Sequence, residues 1–318
     1  MRRSLVLGLA AATAFLLCLP TQDAAARGGA GAEGGANPQP RVSAAEGEIY
    51  FDHAVRFVAD GKQGIHSLTD FYADLHDVRF SVGSNRHEGH MRLWLKTPDK
   101  YRFEIRQKKN PRAPGQRITT KILDGGKMWI LHPDGRQQRM HGAGGSAAGA
   151  IKQMQDDRRR LLDLARFLTL DGLKGPGVTF LNEGFTTGSG TFAGNWIRVR
   201  RKIQGGADVV FYLAHAPDPR DPRRRRATHP GIVKVEGDPR TGEPTEYYLL
   251  KNWRRGPQFQ YPGEIQAFSQ ATPNSQMNLF LQAYPADIRI NTGLQSTLFA
   301  PPGATAPGRG TAGSGRGK

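Results

Sequence analysis

The residues of this chain that could do chemistry are few and poorly grouped. His87 and His90 stand three apart in His-Glu-Gly-His, close to the start of a strand-like run. A zinc site takes three or four N, S or O donors, and residues three apart on a strand point to opposite faces, so this pair builds no site. His53, His66, His132, His215 and His229 have no partner at ligand spacing. The carboxylates Glu88, Asp124 and Glu183 are scattered along the sequence, and Asp124 ahead of Gly125-Gly126 reads as a turn former. The only cysteine is Cys18, which falls inside an apolar N-terminal run, so no disulfide and no thiolate site is expected. No Gly-x-Ser-x-Gly elbow and no phosphate-binding glycine loop occurs. Neither a catalytic residue nor a cofactor nor a metal is expected, and the chain is read as no enzyme.

Charge points to surroundings rather than to a reaction. The 318 residues carry 45 Lys and Arg against 28 Asp and Glu, a formal net charge of +17. The basic residues are spread as the polar half of alternating runs, with one dense cluster at Arg223–Arg226 that no aromatic residue flanks. Single-stranded nucleic acid is held by basic residues interleaved with aromatic platforms, so nucleic acid is excluded as a partner. Contact of the cluster with an anionic membrane surface is the electrostatic alternative to a solvated loop.

Residues 1–26 begin with Arg2 and Arg3, run apolar from Leu5 to Leu19, and end with small residues at Ala24 and Ala26. That is the layout of a secretory signal peptide. Leu17 ahead of Cys18 is a poor context for lipid attachment, where a small residue normally stands. A periplasmic protein follows as the expectation. Residues 27–43 are expected to be a disordered leader and residues 303–318 a disordered basic tail, since neither holds enough bulky apolar residues to pack.

The elements that must do the positioning are mostly strands. Gly89–Ile105 reads GHMRLWLKTPDKYRFEI: Met91, Leu93 and Leu95 alternate with Arg92 and Lys96, then Tyr101, Phe103 and Ile105 alternate with Arg102 and Glu104. Period two means strands, and Pro98-Asp99 supplies the turn between them. Leu68–Val82 alternates too, with a phase slip near Asp77 that predicts a bulge or a bend. Helical spacing of Ile49, Tyr50, His53, Ala54, Phe57 and Val58 predicts a helix from Ala44 to about Ile65, and Ile151, Met154, Arg158, Leu161, Leu162, Ala165 and Leu168 predict a second over Ile151–Leu170, after a flexible stretch at His141–Ala150. Strand patterns near Ile118, Thr120 and Ile122 and near Met128–Leu131 precede the second helix. Seven more follow it, with Ala216–Pro230 expected as a long exposed loop. The predicted fold is mainly β (α+β): a large antiparallel sheet curled into an incomplete barrel with two helices as lid or plug, over residues 44–302 as a single domain.

Three segments in this order resemble the periplasmic outer-membrane lipoprotein carrier family, the LolA-like proteins. They are GHMRLWLKTPDKYRF at Gly89–Phe103, LDGGKMWILHPDGRQQ at Leu123–Gln138 and IRINTGLQSTLFAPP at Ile288–Pro302. The resemblance implies a hydrophobic cleft that receives acyl chains of a lipid or lipoprotein, and a carrier working toward the outer membrane as a monomer between membrane-bound donor and acceptor proteins. Met91, Leu93, Leu95, Tyr101, Phe103 and Ile105 are the candidate cleft residues. Three readings stay open: a carrier, a lipid-sensing envelope regulator acting through a protein partner, and an envelope hydrolase or polymer-binding protein.

Overall fold

The computed structural model describes residues 43–60, 67–82, 85–107, 118–140, 145–170, 172–204, 206–217, 225–238 and 241–301. Residues 1–42 and 302–318, where the signal peptide, most of the leader and the tail were expected, lie outside the described residues. The elements in order are α1 (Ala44–Val58), β1 (Asp70–Val82), β2 (Asn85–Lys96), β3 (Lys100–Gln107), β4 (Ile118–Asp124), β5 (Lys127–Leu131), β6 (Gln137–Met140), α2 (Gly145–Thr169), β7 (Val178–Gly188), β8 (Gly194–Ile203), β9 (Val209–Pro217), β10 (Arg225–Val235), β11 (Thr245–Arg255), β12 (Gln260–Gln270) and β13 (Asn278–Ile290). All thirteen strands form one antiparallel sheet in the order β6-β5-β4-β3-β2-β1-β13-β12-β11-β10-β9-β8-β7. The sheet is open, with β6 and β7 at its two edges. Among the described residues no helix is long and apolar enough to cross a membrane.

Each half of the sheet is a meander, because consecutive strands pair with each other. Among the described residues, strands of the two halves pair only in the ladder of β1 with β13. Its end is locked by Asp70, buried at 3% exposure, whose carboxylate accepts from the backbone N–H of Thr292 at 2.8 Å and of Gly293 at 3.0 Å, and from the Thr292 hydroxyl at 3.1 Å. Asn291, in the left-handed region at φ +51°, accepts from Thr69 N–H at 2.8 Å and donates to the Ser67 carbonyl at 2.7 Å. Farther on, Arg102 donates to the Leu298 carbonyl at 2.9 Å, and the 3-10 turn Ser296–Phe299 packs on β3 and β4 with Phe299 fully buried. The Asn-x-Gly-Leu…Leu-Phe ending is therefore a clasp across the sheet.

Both helices lie on the same apolar face, where residues of α1, α2 and most strands form one buried cluster. Ser43 caps α1 by accepting from the Glu46 N–H at 3.3 Å. The helix stops at Val58, earlier than the periodicity predicts, with Asp60 turning into the left-handed region at φ +54°. Its buried face is Gly47, Phe51, Ala54 and Val58: Ala54 and Val58 are buried as the periodicity predicts, Phe51 takes the place expected of Tyr50, and Ile49 is 53% exposed. Gly47 is the reason: a Cβ there would stand 2.5 Å from the Phe180 carbonyl oxygen, so glycine lets α1 press onto β7 and brings Phe51 onto Phe180 with ring centroids 4.2 Å apart.

Two other expectations need correction. Gly145–Ala150 belongs to α2 and not to a flexible stretch. Arg225–Pro230 belongs to β10 and pairs with β9, Arg226 opposite Ala216 and Ala227 opposite His215, so Arg225 and Arg226 of the basic cluster stand on a strand. Ala227 is buried at 1% between exposed Arg226 and half-buried Thr228, an alternation that the Pro and Arg content of the segment hides. Residues 218–224 lie outside the described residues.

Gly47→Ala is expected to cost about 1–3 kcal/mol in denaturant unfolding, the usual range for overpacking, while Gly126→Ala, where an added Cβ meets nothing within 4 Å, leaves the midpoint unchanged. Asp70→Ala strands buried donors of the clasp and is expected to lower stability by about 2–3 kcal/mol.

Candidate functional site

Between α2 and the sheet lies an apolar cleft that encloses about 780 Å³, its open mouth included. The floor comes from alternate residues of adjacent strands: Leu75 of β1, Met91 and Leu93 of β2, Tyr101 and Phe103 of β3. Their register explains the shared face, since Leu75 stands opposite Met91 and Leu93 opposite Phe103. The far wall is Tyr248 of β11 with Phe280 and Leu281 of β13. Phe280 and Leu281 are chain neighbours that a regular strand would send to opposite faces. A register shift in the β12–β13 ladder, where Ala267 pairs with Leu281 but Phe268 with Leu279, leaves Phe280 as the extra residue and lets both reach the cleft. The lid is one face of α2, where Met154, Asp157, Leu161 and Leu164 recur at helical spacing.

Of the six candidate residues from the sequence, Met91, Leu93, Tyr101 and Phe103 border the cleft. Leu95 and Ile105 are on the same face but are buried at 0% and 2% in the core beyond it. Tyr248, Phe280, Leu281 and the α2 residues are additions that strand periodicity does not single out.

The polar end of the cleft was missed altogether. Lys121 lines it at 3% exposure, with Asp157 and Arg160 of α2. The strand pattern at Ile118, Thr120 and Ile122 does not single out Lys121, yet Phe103 pairs with Lys121 and Tyr101 with Leu123, so Lys121 and Leu123 face the helices. Ile122, also buried, is on the side where the Ser296–Phe299 turn packs. Burial pushes the Lys121 ammonium down to about 8, against the pull of the Asp157 charge. It pushes the Asp157 carboxyl up to about 6, against the pull of Lys121 and Arg160. Asp157 Oδ1 is out of solvent with no hydrogen-bond partner. Burial and the Asp157 charge also push the Tyr101 phenol well above its ordinary range. Near neutral pH the end of the cleft thus holds two cations and one carboxylate, an excess of one positive charge in an apolar wall.

The opposite face of the sheet carries its own polar groups. Tyr72, Asp74 and His76 alternate outward on β1, and His90 and Arg92 do so on β2. Asp74, His76 and His90 bring one ligand atom each to within 4.8 Å of one another. The pairing expected to fail, His87 with His90, is thus replaced by a cross-strand grouping invisible to sequence spacing. Elsewhere on this face, Arg200 bonds Glu183, Asp208 (3.2 Å) and Glu236 (2.7 Å), while Arg198 bonds Glu183 at 2.6 Å. Arg198 and Arg200 are therefore paired with carboxylates of the neighbouring strands and turns.

No family model and no curated protein sequence matches this chain. Among solved structures it is similar to an outer membrane lipoprotein-sorting protein domain from Vibrio parahaemolyticus, with 13% identity and a TM-score of 0.40 over 81% of this chain and 97% of that one. It is also similar to a LolA superfamily protein from Nitrosomonas europaea, with 9% identity and a TM-score of 0.39 over 80% of this chain and 97% of that one.

The folded chain favours the protonated form of Asp157, so the native protein loses stability as pH rises from about 4 through about 6. Asp157→Asn removes that loss. Its stability relative to the native chain is expected to climb by roughly 2–3 kcal/mol over this window and level off above it, read by urea unfolding at a series of pH values.

Proposed function

We propose that this protein binds the acyl chains of a lipid or lipoprotein in the cleft under α2 and acts as an exported, periplasmic carrier. The observation that carries the reading is the cleft itself: Leu75, Met91, Leu93, Phe103, Leu161, Leu164, Phe280 and Leu281 form an apolar wall with a charged end at Lys121, Asp157 and Arg160. Pockets for small molecules combine an apolar lining with a few polar groups that fix orientation, and an amphiphile matches that division with its chain along the wall and its head at the cations. The resemblance of the Gly89–Phe103, Leu123–Gln138 and Ile288–Pro302 segments to lipoprotein carriers supports the same reading.

No covalent step is involved. Each methylene moved from water into the cleft contributes about 0.8 kcal/mol, so two methylenes are worth roughly a tenfold gain in affinity. Release follows from a state that binds the chain less well, such as α2 displaced from the sheet or transfer to a partner with a better cavity. Donor and acceptor proteins on the inner and outer membranes are the partners this reading requires.

Native mass spectrometry of the exported protein is expected to show co-purified acyl-chain mass. Delipidated protein is expected to bind saturated fatty acids with affinity rising about tenfold per two methylenes until the cleft is full. Leu164→Glu, on the half-buried lid, and Leu93→Glu, on the floor, are both expected to abolish binding. Folding of the Leu164 variant is checked by circular dichroism. A folded Leu164→Glu protein that still binds acyl chains, or affinity independent of chain length, would overturn the reading.

A further inference from the structure

We infer that Asp74, His76 and His90 form a binding site for a divalent transition-metal ion, with zinc as the ion that fits best, on the face of the sheet turned away from the cleft. The inference is independent of the acyl-binding reading.

The site is a product of strand geometry. Asp74 and His76 are two apart on β1, so both project from one face. His90 is on β2, and between the pairs Leu75–Met91 and Val78–Gly89 two residues of β1, His76 and Asp77, stand against His90 alone. This bulge, with Asp77 in the left-handed region at φ +43°, crowds His76 toward His90. The two imidazoles lie 4.5 Å apart, edge to face, and each turns Nε2 to the same oxygen, Asp74 Oδ1. The His76 contact is 3.3 Å. Ligands held at about 2.0–2.1 Å around a tetrahedral metal are about 3.3–3.4 Å apart along each edge, so this separation already suits two ligands of one ion. His90 Nε2 is instead hydrogen-bonded directly to Oδ1, so it has to move back to the tetrahedral edge spacing when it ligates.

The other carboxylate oxygen is occupied. Asp74 Oδ2 accepts from the Tyr72 hydroxyl at 3.3 Å and from Arg92 Nε at 3.3 Å. These outer partners fix the carboxylate and leave Oδ1 as a single-atom donor, the arrangement that supports ligating carboxylates in metal centres. Two imidazoles and one carboxylate are a borderline donor set suited to zinc. His76 is exposed, with 56% of its side chain open to water, so the fourth position faces solvent. Arg92 neighbours Asp74 and Arg106 stands opposite His90, while Asp287, opposite Asp74, is paired with Arg289 at 2.7 Å and Tyr284, uncharged, stands opposite His76.

The test is titration of the full chain carrying Cys18→Ser, so that no thiolate contributes, with Zn²⁺ by calorimetry and with Co²⁺ by its visible absorption. One ion per chain is expected, with the intense visible bands of four-coordinate cobalt. His76→Ala, His90→Ala and Asp74→Asn should each weaken binding at least tenfold, and His132→Ala, on the turn between β5 and β6, should leave it unchanged. Zinc should raise the melting temperature of the parent chain and not that of a His76→Ala/His90→Ala double variant whose metal-free melting matches the parent. Absence of binding, or binding that survives all three ligand substitutions, would overturn the site.

Discussion

The whole sheet hangs on one ladder, β1 with β13. Five strands descend from β1 on one side and six from β13 on the other, and among the described residues no second strand pairing joins the halves. The residues that pair across it are more than two hundred positions apart, Phe71 with Ile290 and Phe80 with Leu281, so the closure entropy of most of the chain is spent at this one place. The buried Asp70 carboxylate fixes the end of the ladder through charge-assisted bonds from backbone N–H groups, among the stronger hydrogen bonds a protein makes, and the left-handed Asn291 adds neutral bonds to the backbone of Ser67 and Thr69. The closing Thr292–Phe299 segment then runs back over β2 and β3, where Lys96 and Arg102 donate to its carbonyls. Charged residues on the outward face of Gly89–Ile105 thereby hold the chain end in place.

That ladder is also where both candidate sites originate. The bulge at His76–Asp77 and the register shift at Phe280 fall on its two strands. A bulge moves the phase of every later side chain and increases local twist. On the inner side the result is that Phe280 and Leu281 both enter the cleft. On the outer side it gathers Asp74, His76 and His90. Leu75 sits between two of these residues and faces the cleft, so opposite faces of one three-residue stretch serve both places.

Charge is placed with the same dependence on pairing. Arg200 lies among Glu183, Asp208 and Glu236 because β7, β8, β9 and β10 are neighbours in the sheet. The few charges turned inward behave differently. Lys121, Asp157 and Arg160 meet where a strand from the first half faces α2, and burial outweighs their mutual attraction in setting the protonation of Lys121 and Asp157.

Alternation and turn residues in the sequence determine the number and order of elements: a helix, six strands, a helix and seven strands, including the slip at Asp77. These signals are local, because strand and helix periods are set by the backbone of a few consecutive residues. The three resembling segments also locate the hairpin that supplies Met91, Leu93, Tyr101 and Phe103. Facing decisions escaped the sequence wherever packing overrides a period. Gly47 seats α1 so that Phe51 and not Ile49 is buried, because its hydrogen side chain alone fits against β7. Lys121 faces inward because its register to β3 outranks its charge, and Arg225–Pro230 is strand because β9 is there to pair with it. The cross-strand trio of Asp74, His76 and His90 and the wall formed by Tyr248 and Phe280 join residues whose spacing in the chain carries no signal. Only the register of β1 with β2 and β13, and the seating of α2 across the sheet, decides that they meet.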